Sequence, residues 1–152
     1  MKNKVMSIKS VTAQLKEQCP VNAAMARFDI SSLSNQLKNE KAWHTKKRNS
    51  VVVFKSDDLH ILLVVMHAVT RVPDHKIDVP LTIQVLEGHT RVVTKTETIA
   101  LYKGDLLVLE SGIPHDIEAV SESAFLLTLA VGRRTNDGTR QKENALPKTW
   151  GG

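Results

Sequence analysis

A chain of 152 residues, 41% hydrophobic and 24% charged, carries enough apolar material for one domain with a sizeable core, and it excludes a disordered composition. Its longest unbroken apolar run, Ile61 to Met66, falls far short of the roughly 18–20 residues that a membrane-spanning helix needs. The formal net charge of +5 is unevenly placed: residues 1–50 hold ten basic against three acidic side chains, residues 51–130 six against eleven, and residues 131–152 five against two.

The basic character therefore lies in the two arms, and the body between them is acidic. A nucleic-acid binder would show basic side chains interleaved with aromatics on its folded body. Aromatics make up only 4% here, and Lys46-Lys47-Arg48, beside Trp43 and His44, reads as a solvated linker before the first strand. Neither nucleic acid nor a membrane is expected as a partner. The N-terminal residues are charged and lack the apolar segment of a secretory signal. The single Cys19 offers neither a disulfide nor a thiolate cluster for zinc, so a reducing cytoplasm is expected.

In chain order, residues 11–18 have the pattern of a short helix with Leu15 as its apolar contact, ended before Pro20. Ser31-Ser32 offers an N-cap to a short amphipathic helix over residues 33–41, with Leu33 and Leu37 on one face. Such a helix is too short to stand alone and has to pack on the body or on a partner chain. From Val51 the character changes. Val51 to Phe54 is a β-branched run, Ser56-Asp57-Asp58 a turn, and residues 59–70 a long strand or a strand with a bulge, with Pro73-Asp74 breaking the pattern before His75. Further strands are predicted at residues 81–86, 90–94, 98–102, 106–109, 115–119 and 124–131, with turns at Glu87-Gly88-His89 and Lys103-Gly104-Asp105. These make about eight short strands, with turn signals at the roughly 8–12-residue spacing of an antiparallel sandwich or barrel. No helix-length periodic segment interrupts them, which argues against a parallel α/β sheet.

Two glycine–strand–histidine blocks dominate the body, His75 to Gly88 and Gly104 to His115. Their spacing resembles the two motifs of the cupin superfamily, and in particular small single-domain bacterial cupins of the RmlC-like jelly-roll kind. The first motif runs Gly, five residues, His-x-His, three or four residues, Glu, six residues, Gly. Aligned here, its leading glycine falls on Val69, its histidines on His75 and Ile77, its glutamate on Leu81 and its closing glycine on Gly88. The second motif runs Gly, five residues, Pro-x-Gly, two residues, His, three residues, Asn. Gly104, Gly112 and His115 match it, whereas Glu110 stands in the proline position and Ala119 in the asparagine position. The resemblance implies an all-β double-stranded β-helix (jelly-roll) barrel over residues 50–131. Residues 1–49 would then be an N-terminal arm with a short helix, and residues 132–152 a flexible tail.

In metal-binding cupins the three histidines and the glutamate ligate the ion. The resemblance therefore implies a degenerate site here, with His75 and His115 left to hold a divalent transition metal (Zn, Ni, Fe or Mn). If Leu81 faces the interior as the matching glutamate would, strand alternation brings Ile83 with it and turns Gln84 away, so Gln84 is no replacement ligand. His67, on the preceding strand, is the candidate third ligand, although no motif position matches it. Ile77 and Leu81 dry the interior, and the expected guest is a modest organic acid or aromatic held among His75, Ile77, Leu81, Ile83 and His115. One alternative is a metal-dependent cupin enzyme of the dioxygenase or isomerase kind using His75 and His115. Another is a structural or partner-binding barrel with no ligand. Metal-free acid–base chemistry would need a carboxylate to orient a histidine, yet Asp116 should point opposite to His115 on a regular strand, and no catalytic residue is assigned. A homodimer is expected, partly by family analogy and partly because apolar residues occupy both parities of Leu59–Met66, so that both faces of that strand need cover.

Overall fold

The computed structural model describes residues 24–132. The expected helix at residues 11–18 and the tail beyond residue 132 lie outside the described residues, as do the side chains of Asp74 and His75. Among the described residues, two short helices, α1 (Ile30–Lys38) and α2 (Lys41–Lys46), precede nine strands. These are β1 (Arg48–Lys55), β2 (Leu59–Met66), β3 (Thr70–His75), β4 (Leu81–Glu87), β5 (His89–Val93), β6 (Thr98–Tyr102), β7 (Leu106–Leu109), β8 (His115–Ala119) and β9 (Ser123–Ala130). No helix among them is long and apolar enough to cross a membrane.

The strands form a five-stranded sheet in the order β1-β2-β9-β4-β7 and a four-stranded sheet in the order β3-β8-β5-β6. Every pairing is antiparallel, and most neighbours are distant in sequence: β2 pairs with β9, β4 with β7 and β9, and β8 with β3 and β5. The chain changes sheet at almost every connection, which winds it as a jelly roll. The two sheets share no ladder, so the expected barrel is an open sandwich held by its apolar interior rather than by a closing hydrogen-bonded seam.

Strand alternation sorts the side chains into two layers. Leu62, Val64 and Met66 of β2, Leu81, Ile83 and Val85 of β4, Ile117 and Ala119 of β8, and Phe125, Leu127 and Leu129 of β9 point between the sheets and form the inner cluster. Leu63 and Val65 of β2 point the other way, onto Leu33 and Leu37 of α1 and Trp43 of α2. That outer layer answers the two-sided apolarity of β2: the chain's own helical arm covers its outer face. Burying such aliphatic side chains contributes roughly 1.5–3 kcal/mol each.

Four local features differ from the sequence reading. The first helix begins at Ile30, not residue 33, because Asp29 rather than Ser31-Ser32 is its N-cap: the Asp29 carboxylate accepts from the Ser32 amide at 3.0 Å and from the Ser32 hydroxyl at 2.9 Å. These bonds hold the Asp29 carboxyl below its ordinary pKa. α2, with Trp43 buried, occupies what reads as linker. The long strand expected over residues 59–70 is broken at 67–69, where Val69 takes a positive φ and the chain crosses between sheets. Pro73 does not end a strand, because β3 absorbs it as an irregularity in its register with β8.

Candidate functional site at one end of the sandwich

The register places the starts of β2, β4 and β8 and the ends of β3, β7 and β9 at one end of the sandwich. On the five-stranded sheet His60 opposes Leu129, Leu129 opposes Leu81, and Leu81 opposes Leu109. On the four-stranded sheet residue 75 is the direct cross-strand partner of His115. The irregularity in β3 decides this. Val72 opposes Ile117, and without one extra residue before the next pair, Asp74 instead of His75 would stand opposite His115. The backbone N–H of Gly112 donates to the Ile77 carbonyl at 2.8 Å, which pins the loop leading into His115 against the segment leading out of β3.

His115 is 3% exposed. Its Nδ1 lies 2.9 Å from the Ile113 carbonyl, which can only accept, so Nδ1 donates to it and Nε2 is the ring's other nitrogen. That Nε2 is itself buried. A second imidazole belongs to this end. His60 shares the inward parity of Leu62, Val64 and Met66, is also 3% exposed, and has both ring nitrogens buried. His60 matches no position of either motif. Alternation along β2 is the signal that would have turned it inward.

The other expected site residues fall elsewhere. Ile77, Leu81 and Ile83 are buried in the inner cluster, so they are packed core beneath this end. His67 lies on the outer side: its ring stacks on Trp43 at 3.8 Å between centroids, and its Nε2 is 3.1 Å from the Trp43 carbonyl. A nitrogen that donates to a carbonyl has no lone pair for a metal, and this ring belongs to the outer layer with Leu63 and Val65, so His67 does not join His115. Asp116, as alternation requires, is on the opposite face of β8, paired with Arg71. Arg71 also approaches Glu118 at 3.8 Å, and Arg91 approaches Glu118 at 2.8 Å. These carboxylates serve a surface charge network on that face.

Over this end lies a cleft of about 450 Å³. Val79 and Val131, which belong to or pack on the inner cluster, contribute apolar walls. Pro80, Ser111, Ala130, Gly132, Asp58 and Asp78 complete the lining. Asp58 lies two residues before His60, and Ser111 four residues before His115, which puts the cleft at the same end, although neither imidazole is among its lining residues.

These residues do not fit the metal set of the superfamily. Two of its four ligand positions are Ile77 and Leu81, both buried among aliphatic side chains. Among the described residues no three histidine, cysteine or carboxylate side chains gather as a metal would require.

No protein-family model matches the sequence. No curated protein is significantly similar to it. Solved structures do match. An RmlC-like cupin protein from Desulfovibrio desulfuricans is 25% identical with a TM-score of 0.53, over 70% of this chain and 90% of that one. A conserved protein of unknown function from Streptococcus pyogenes is 19% identical with a TM-score of 0.58, over 76% of this chain and 93% of that one. A cupin superfamily protein from Desulfitobacterium hafniense is 18% identical with a TM-score of 0.53, over 55% and 76% of the two chains. The likeness is one of fold.

Proposed function

We propose, from the premise that this chain is a cupin-fold protein, that it binds a small molecule in the cleft at the end of the sandwich that also carries His60 and His115. The observation that carries this reading is the pair of buried imidazoles, one from each sheet, at the end where the interior stops being aliphatic. A few polar groups gathered at one end of an otherwise apolar interior are how ligand sites are commonly built. The fold alone names no activity, because one such scaffold supports many unrelated functions.

The lining also sets the chemical class. Asp58 and Asp78 put negative charge at the rim, and a carboxylate guest would have to leave water against that charge. The modest organic acid expected from sequence therefore gives way to a neutral or amine-bearing molecule with an apolar body, small enough for about 450 Å³. We place the protein in the cytoplasm, where its single thiol stays reduced.

The test is thermal unfolding of the full chain and of His60→Gln and His115→Gln. The compounds are a panel of aliphatic and aromatic amines, their neutral alcohol counterparts and the matched carboxylates. A ligand present at 100 times its Kd stabilises by about 2.7 kcal/mol, a shift of a few degrees. Amines or neutral compounds should raise the wild-type Tm, and the rise should shrink in both variants. No rise with any compound, or rises unchanged in both variants, would overturn the site. A preference for carboxylates would overturn the charge argument alone.

A further inference from the structure

One lip of the cleft is made where the β1–β2 turn meets the exit of β9. The turn is closed by its own bonds. The Ser56 amide donates to the Leu59 carbonyl at 2.9 Å, and the Ser56 hydroxyl accepts from the Asp58 and Leu59 amides at 3.3 and 3.1 Å. The Val131 amide then donates to the Asp58 carbonyl at 3.0 Å, which joins the turn to the strand exit. One residue later Gly132 lies flat against the same turn. A Cβ there would run into the Asp58 Oδ1 and Cα and would stand 2.6 Å from the Asp57 carbonyl oxygen. Gly132 is not among the glycines with positive φ, so it answers a close backbone approach and not a turn conformation. Asp58 thus brings its carboxylate to the cleft on a backbone held from two sides. The side chain is exposed, and among the described residues no ion pair engages it.

We propose that Asp58 is the specificity-determining residue of this cleft, which selects a guest bearing an ammonium group over its neutral counterpart, and that Gly132 is the positioning residue that keeps the carboxylate in place. This rests on the small-molecule site proposed above and assigns its choice of guest to one side chain instead of to the rim as a whole. An ammonium donates a charge-assisted hydrogen bond to a carboxylate, roughly twice as strong as the neutral bond an alcohol can donate. Its apolar body would rest on Val79 and Val131. Because the lip is open to water, the preference is modest and falls with salt. It also depends on where the charge sits, since the attraction weakens with distance. A methyl group at residue 132 would push the Asp58 carboxylate off the β9 exit without removing its charge.

The test is the ratio of Kd values for an alcohol and the amine of the same skeleton, measured by NMR titration of the full chain at low salt. The pairs are benzyl alcohol with benzylamine and 1-hexanol with hexylamine. Wild type should favour the amine by up to about five-fold. Asp58→Asn should bring the ratio close to one while the alcohol Kd stays within about two-fold. Gly132→Ala should lower the ratio in the same direction with the charge still present. Asp58→Glu, which keeps the charge and moves it by one methylene, should do likewise and stands in if Gly132→Ala does not fold. A general weakening of the cleft would change both Kd values together and leave the ratio alone, so an unchanged ratio in these two variants overturns the positioning role. A preference that survives Asp58→Asn, or one abolished by Asp78→Asn instead, overturns the assignment to Asp58 and leaves the site standing, as do equal wild-type Kd values for amine and alcohol. No binding of any of the four compounds to wild type overturns the site and this assignment together.

Discussion

Val69 has a φ of 62°, in the left-handed region that a β-branched side chain enters only under strain. It sits where the leading glycine of the first cupin motif would stand, and Gly88, Gly104 and Gly112, at the other motif glycines, have φ of 81°, 92° and 79°. All four positions keep the glycine conformation although one has lost the glycine. The Val69 side chain is 92% exposed and contributes no packing to offset its strain. Val69→Gly should therefore stabilise the fold by about 1 kcal/mol, the left-handed cost of roughly 1–2 kcal/mol less the extra backbone entropy of glycine. Gly88 is the converse case. A Cβ there would lie 2.1 Å from the Glu122 carbonyl oxygen and 2.6 Å from the Ser123 hydroxyl, in the turn that closes the other end of the sandwich. Backbone conformation and backbone clash add, and Gly88→Ala should lose more than about 2 kcal/mol. Urea unfolding of both variants measures this. A destabilised Val69→Gly or a neutral Gly88→Ala would contradict the assignment of these turns.

The two helices of the arm exist only because the sheet is there. At nine and six residues both are well below the length at which a helix holds itself together in water. Leu37, almost fully buried, is the main contact of α1, and Asn49 of β1 ties the helix end down, donating to the Leu37 carbonyl at 3.0 Å and to the Glu40 carboxylate at 2.8 Å. Leu37→Ala should cost about 2–4 kcal/mol and remove helical circular dichroism ahead of the main transition. A cost below about 1 kcal/mol would show that the arm does not depend on the outer layer. At this scale the sequence was legible wherever turn chemistry is local. β6, β7 and β8 have the expected bounds, because Gly104 and the glycine–proline loop before His115 punctuate them. It was illegible where tertiary demand overrides local signals. Nothing in His67-Ala68-Val69 announces a chain reversal, and Pro73 reads as a stop until a bulge accommodates it. Two capping serines look as good as Asp29 until the carboxylate is seen to hold Ser32. The site was half legible. The motif points to His115 and to residue 75, but His60 and the outward placement of His67 follow from alternation on a strand whose break was not visible.

The molecule as a whole carries two apolar layers on the two sides of one five-stranded sheet, and this decides what it needs from outside. Small domains that bury too little apolar surface rely on a metal or disulfide staple. Here the inner cluster draws on eight of the nine strands and the outer cluster adds both helices, so the folded state has its stabilisation distributed across the chain. Neither layer contains a metal-ligating set among the described residues, and two ligand positions of the superfamily's first motif, Ile77 and Leu81, are part of the inner one. If the core has taken over the metal's place in this way, chelation should leave the fold untouched. Protein prepared without a histidine tag and treated with a strong chelator should unfold within about 1 °C of the untreated sample, a difference below about 0.3 kcal/mol for a domain of this size. Elemental analysis should find transition metal well below one ion per chain, unchanged by His115→Gln. Stoichiometric metal, lost together with several degrees of Tm in that variant, would show that His115 holds an ion the fold depends on. It would also reinstate the metal-dependent reading that Ile77 and Leu81 argue against.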